Sequence, residues 1–341
     1  MKLKYIFALV ILVVASMQAP LISHAEAREA CTSSQETCSE RFKIGNSTFQ
    51  VWRNYPLTER NTDITHAIVM VHGRGRNPGH YLRFTTGAAE LANRQNSTLV
   101  ISPYFRQDED HKRSSDLYWK RRKPSSETDW AMGGASYRPE SISSFAVLDE
   151  IVEYLANTNK FPNLKSLTVA GNSAGGQVAH RYALGGNPQG SQGLRMNYVI
   201  GNPSSYAYLG ISRPHDDSLR SFHRETKSEC SWYNQWGYGL ARTNDYVSNL
   251  TRSQIIRRYR LRYVTYLIGE DDTGTGSLDQ TCAANAQGEN RYQRARAYHN
   301  YVQRYYPTRR HELSVVPDSG HDGRRLYQSK QGLQALFRRA N

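Results

Sequence analysis

The sequence predicts an α/β fold: a central, mostly parallel sheet covered by helices on both faces and opened by an antiparallel hairpin. Three observations lead there. Five short runs, Ala67 to Val71, Thr98 to Ile101, Leu167 to Ala170, Tyr198 to Ile200 and Tyr263 to Ile268, are nearly continuous in apolar residues, and each runs into Gly or Pro within two residues. Runs of that length without polar alternation suit strands buried on both faces. Helical periodicity fills segments between them, and strand and helix alternate toward the C-terminus.

The N-terminal segment stands apart. Lys2 and Lys4 precede an apolar run from Tyr5 to Val14, and small residues follow around Ala25 and Ala27. This pattern predicts a secretory signal peptide over residues 1–25, cut after Ala25 or Ala27. The run falls short of the roughly 20 apolar residues that span a bilayer, so no transmembrane anchor is expected. Roughly 315 residues remain, read as one domain over 26–341.

Within that domain, Arg41 to Ile44 and Thr48 to Arg53 alternate around Gly45-Asn46 and predict the opening hairpin. In Ser141 to Asn157, Ile142, Phe145, Leu148, Ile151, Val152 and Leu155 form one apolar stripe of a helix. Asn290 to Tyr306 reads as a second helix, stopped by Pro307. A last strand, Glu312 to Val316, precedes the loop Pro317 to Gly323 and a closing helix with Leu333, Leu336 and Phe337. Two polar stretches, 105–138 and 202–253, have no apolar periodicity of their own and read as insertions over the carboxyl edge of the sheet. Ligands of such sheets sit at that edge.

Lys+Arg of 44 against Asp+Glu of 30 gives a net charge of +14, or +12 without Lys2 and Lys4. Of these cations 34 are arginines, suited to bidentate contact with carboxylates and phosphates. They are spread along the chain among acids, which predicts a solvated surface, with an anionic envelope or acidic polymer as a possible partner. No carboxylate cluster of nuclease type occurs, and nucleic acid is not expected. A mean hydropathy of −0.70 excludes a polytopic membrane protein, and the apolar runs exclude a disordered chain. Nothing resembles an oligomerisation helix, so a monomer is expected. The four cysteines allow three disulfide connectivities; nearness in sequence favours Cys31 with Cys38, leaving Cys230 with Cys282. Neither pair has the C-x-x-C spacing of a redox or zinc site, and no metal is expected.

The chemistry concentrates after four of the strands. Gly171-Asn172-Ser173-Ala174-Gly175 follows LTVA and opens a helix-like segment. A serine on such a strand-to-helix turn needs small neighbours, and the first N–H groups of the helix favour developing negative charge beside it. His72-Gly73-Arg74-Gly75 follows AIVMV; its amide, at Arg74, would pair with that of Ala174 as an oxyanion hole, while His72 shapes the loop. Gly269-Glu270-Asp271-Asp272 follows YVTYLI, and a carboxylate there, Asp272 ahead of Asp271 or Glu270, would orient a base. Gly320-His321-Asp322-Gly323 follows the last strand, and His321 is the base expected to accept the serine proton.

In the order Ser173, Asp272, His321 the chain resembles the α/β-hydrolases, specifically a secreted serine esterase or lipase-like member. The resemblance spans the mature domain, from the hairpin to the last helix. Asn202-Pro203-Ser204-Ser205-Tyr206 and Gln280-Thr281-Cys282-Ala283 with Gln287-Gly288 are similar to segments of a group of poorly characterised secreted hydrolases. Arg74 departs from the smaller residue many relatives carry and would put a cation at the pocket mouth. The resemblance implies acyl-enzyme chemistry on a small or polymeric acyl substrate, without metal or organic cofactor. An ester substrate leads; an amidase, peptidase or polymer depolymerase with the same triad, and a non-catalytic polyanion binder, are the alternatives. Asp108-Glu109-Asp110-His111 reads as a solvated loop rather than a cation site. The aromatics Tyr206, Tyr208, Tyr233, Tyr238, Trp232 and Trp236 fit either a stacking surface for substrate or the packing of a loop-rich cap.

Overall fold

A computed structural model describes residues 29–120, 129–156, 159–189, 193–216, 218–225 and 228–338. The expected signal peptide lies outside them. The strands are β1 (Ser39–Ile44), β2 (Ser47–Arg53), β3 (His66–Val71), β4 (Thr98–Pro103), β5 (Ser166–Asn172), β6 (Arg195–Gly201), β7 (Ser212–Pro214), β8 (Phe222–Arg224), β9 (Tyr263–Gly269) and β10 (His311–Val316). Eight of them form one sheet in the order β1-β2-β4-β3-β5-β6-β9-β10. Pairing is antiparallel for β1 with β2 and β2 with β4, and parallel from β4 onward. The hairpin, the five apolar runs and the last strand all take their expected places.

Period-two alternation along these strands sorts the core into two layers. Val69, Val71, Val169 and Ile200 point to one layer, covered by helices α2 (Ser144–Leu155), α3 (Ala174–Gly185), α5 (Arg252–Leu261) and α7 (Arg291–Tyr305). Ile68, Met70, Ala170 and Val199 point to the other, covered by α1 (Pro78–Leu91), α8 (Gly323–Gln328) and α9 (Lys330–Leu336). Two further short helices are α4 (Asp245–Ser248) and α6 (Cys282–Asn285). Helix α1 escapes sequence reading because its stretch PGHYLRFTTGAAEL holds two glycines and two threonines; Pro78 at its start and burial of Tyr81, Leu82 and Phe84 hold it.

The two polar stretches are not detached from this core. Leu117, Trp119 and Trp130 from the first, and Tyr206, Tyr208, Phe222 and Trp236 from the second, are buried in the layer of α2 and α3. Of the two roles open to the second-stretch aromatics the structure selects packing: Tyr206, Tyr208, Tyr233, Tyr238 and Trp236 are buried, and Trp232 packs edge-on against Tyr238. Cys31 lies against Cys38 and Cys230 against Cys282, each pair with Cα atoms 5.6 Å apart, a disulfide separation. The acidic loop at 108–111 clamps an arginine, with Glu109 and Asp110 ion-paired to Arg76.

The expectation that the arginines cover a solvated surface needs correction. Arg181, Arg213, Arg291 and Arg294 are among the largest fully buried side chains. Their donors go mostly to loop carbonyls: Arg181 to Gly237 O, Arg213 to Tyr233 O and Tyr238 O, Arg294 to Ser204 O and Asp279 O. An irregular loop packed on a core has no ladder for its carbonyls, and a five-donor fork satisfies several at once. Burial lowers the Arg181, Arg213 and Arg294 guanidinium groups to about 10, which leaves them charged at neutral pH.

Four buried histidines satisfy backbone N–H and C=O groups uncharged. His66 bonds Leu336 O, the His72 ring bonds Gly73 O and accepts from Phe105 N, His180 accepts from Ala207 N, and His311 bonds Tyr259 O. Burial pushes His66, His72 and His311 down to about 4 and His180 well below its ordinary value. The unfolded chain therefore binds protons first as pH falls below about 6.5, and each histidine withdraws roughly 1.4 kcal/mol of stability per pH unit. Urea-unfolding midpoints followed by circular dichroism are expected to drop steeply between pH 6.5 and 5; equal midpoints at pH 7 and 5 would contradict the buried neutral histidines.

Candidate active site

Three glycines at the end of β5 let backbone meet backbone. A Cβ on Gly171 would lie 2.3 Å from Gly175 C, one on Gly175 2.0 Å from Val71 O, and one on Gly176 2.2 Å from Gly201 O. Helix α3 thus starts in contact with β3 and β6 as well as β5. The chain must turn sharply between, and Ser173 absorbs it with φ 59° and ψ −118°, a region L-residues avoid. Its amide donates to Gly201 O at 2.9 Å, which pins the turn to the end of β6. Ala174, first residue of α3, presents one of the N–H groups that have no acceptor inside a helix.

The loop after β3 passes beside this turn: a Cβ at Gly73 would sit 3.6 Å from Ser173 Cβ and 3.0 Å from Tyr81 Oη. His72 is fully buried and, as expected, shapes that loop through its two backbone bonds. The Arg74 guanidinium is bidentate on Asp129, at 2.9 and 2.6 Å, and lies over the Trp130 ring. The cation expected at the pocket mouth is therefore neutralised by a buried carboxylate of the first polar stretch.

Beyond β9, Asp272 is 2% exposed, whereas Glu270 and Asp271 face solvent. Its Oδ2 accepts from Nδ1 of His321 at 2.8 Å, so the imidazole is held by one nitrogen and leaves Nε2 for the cavity side. The other oxygen, Oδ1, lies 3.5 Å from Nη1 of Arg291, a buried guanidinium also bonded to Gly276 O. Burial lowers the Arg291 guanidinium, and the Asp272 charge opposes that. Arg291 escaped sequence reading, although Arg291, Arg294, Ala295, Tyr298 and Val302 continue the helical stripe of α7 in register.

The sequence places Asn202 in a segment similar to other hydrolases but not the part it plays. Fully buried after β6 with φ 42°, it accepts from Gly269 N at 3.0 Å and donates to Gly320 O at 3.4 Å, bracing together the loops that carry Asp272 and His321. Ser173 and His321 line one open cavity of about 540 Å³ with Gly73, Arg74, Asn172 and Tyr81. Four loops at the carboxyl ends of β3, β5, β9 and β10 thus converge on this cavity. Among the described residues no group of His, Cys, Asp or Glu is arranged to hold a metal ion, and no helix is long and apolar enough to cross a membrane.

No protein-family model matches the sequence, and no curated protein matches it. Solved structures do match. A poly(3-hydroxybutyrate) depolymerase from Bordetella parapertussis superposes with a TM-score of 0.61 at 22% identity, covering 88% of this chain and 89% of that one. The poly(aspartic acid) hydrolase-1 of Sphingomonas sp. KT-1 gives 0.59 at 19% identity, over 86% and 96%. The chain has the α/β-hydrolase fold. In that fold, the strained turn between β5 and α3 is held by Ser173.

Strain at that turn is measurable without any substrate. Glycine takes positive φ freely, whereas alanine keeps the Cβ that disfavours it. Ser173→Gly is expected to be more stable than Ser173→Ala by about 1 kcal/mol in urea unfolding. A glycine variant less stable than the alanine one would mean that the turn is unstrained.

Proposed function

We propose that the protein is an exported serine hydrolase that cleaves carboxylic esters through an acyl-enzyme intermediate. One observation carries this reading: the buried Asp272 holds Nδ1 of His321 at 2.8 Å in the same cavity that Ser173 enters from its strained turn. In the reaction, His321 Nε2 takes the proton of the Ser173 hydroxyl as Oγ attacks the acyl carbonyl. Asp272 fixes the imidazole tautomer and stabilises the imidazolium that forms. The N–H groups of Arg74 and Ala174 receive the oxyanion, at the loop that passes Ser173 and at the start of α3. The imidazolium returns its proton to the leaving alcohol; water, deprotonated by the same histidine, then releases the acid and restores Ser173. Every step uses side chains, main-chain amides and water.

The expected leader over 1–25 and the two cystine pairs support an oxidising compartment outside the cytoplasm. The fold shared with a poly(3-hydroxybutyrate) depolymerase supports an ester bond. The likeness to a poly(aspartic acid) hydrolase keeps amide and polymer cleavage as the second reading. An intact Asp272–His321 contact weighs against a scaffold that only binds polyanions.

Purified protein is expected to be labelled by a fluorophosphonate probe and to release p-nitrophenol from short acyl esters. Ser173→Ala and His321→Ala should each abolish labelling and lower kcat by at least about 10³-fold. Undiminished labelling of Ser173→Ala would exclude this serine as the nucleophile.

A further inference from the structure

The cavity around Ser173 is bordered by α1 on one side and α8 on the other, and each helix brings an arginine to it. Arg83 of α1 and Arg324 of α8 both line the cavity and both are exposed. Neither makes an ion pair with a carboxylate among the described residues, in contrast to Arg74, whose charge is met by Asp129. Arg324 is also steadied: its Nε lies 3.3 Å from Gln328 Oε1, and Gln328 Nε2 donates to Phe84 O of α1 at 2.9 Å. The acid that lines the cavity is Asp322, and one of its oxygens already accepts the Arg324 and Arg325 amides at the start of α8. His80, Asn77 and Asn172 add further polar lining beside the rings of Tyr81 and Phe84.

We propose that Arg83 and Arg324 form a carboxylate-recognising rim, so that the preferred substrate is an ester with a carboxylate group a few atoms from the scissile bond. This rests on the serine-hydrolase reading of the same cavity and narrows its substrate class. An apolar acyl chain finds the rings of Tyr81 and Phe84 but gives the two guanidinium groups no partner. A carboxylate offers both guanidinium groups charge-assisted hydrogen bonds at the open rim. It also reaches the site faster, through attraction to the two arginines, which outnumber the one cavity acid, Asp322.

Two matched pairs of esters test the proposal. In the first, the p-nitrophenyl monoester of adipic acid is compared with the same ester whose free carboxylate is capped as a primary amide. In the second, the butyrate ester of 3-(4-hydroxyphenyl)propionate is compared with its amide-capped counterpart, which moves the charge to the alcohol side. In at least one pair kcat/KM for the anion is expected to exceed that for the capped ester about threefold to tenfold at low salt, the range for two exposed ion pairs. The ratio should fall toward one in 0.5 M salt and in Arg83→Gln/Arg324→Gln. A ratio of one or less in both pairs, or a preference untouched by the double substitution, overturns the carboxylate rim while leaving the serine hydrolase standing. No turnover of any of the four esters, with no fluorophosphonate labelling, overturns the underlying reading and the rim with it.

Discussion

Everything in the candidate site hangs from one close approach, the contact between the start of α3 and the ends of β3 and β6. Gly175 lies against Val71 O and Gly176 against Gly201 O, at separations no Cβ can share. With the helix start fixed so near the sheet, the residue between β5 and α3 has no room for an ordinary backbone angle, and Ser173 carries the strain. That strain places Ser173 in the cavity lining, with Ala174 next to it as the first residue of α3. The neighbouring loops then take their positions from the strands on either side.

The second organising principle is the satisfaction of loop carbonyls. Polar stretches folded over a sheet edge bury backbone oxygens that no strand or helix pairs. Here arginines supply the donors: Arg181, Arg213 and Arg294 inside the cap, and Arg262 on Tyr182 O and Ala183 O at the end of α3, where the helix dipole also favours a cation. Part of the net charge is thus structural. The same device reaches the site, because Arg291 on α7 meets the oxygen of Asp272 that His321 does not use. The cations left unmatched at the cavity are those at its rim.

Sequence reading was reliable where a single local pattern carried the information. Apolar runs ending at glycine or proline became the strands, with boundaries displaced by at most three residues, and the stripe of Phe145, Leu148, Ile151 and Val152 became α2. Of the three acids after β9, the fold buries Asp272 and leaves Glu270 and Asp271 exposed. Helix α1 was not legible, because its glycines and threonines oppose helix and packing against the sheet and α8 offsets them. Arg291 and Asn202 were not legible either. Their partners lie 19 and 67 residues away for one contact each, and no spacing rule links them.

The sequence by itself determined the α/β alternation, the parallel sheet and the four loops where chemistry gathers, because strand period, helix period and glycine placement are local properties. Tertiary structure alone decided which charges are spent and which are free. Arg74 is neutralised by Asp129 from a distant stretch, Arg181 and Arg213 vanish into the cap, and Arg83 and Arg324 remain facing the cavity. Electrostatic environment depends on burial and on neighbours brought together by folding, and neither can be counted along the chain.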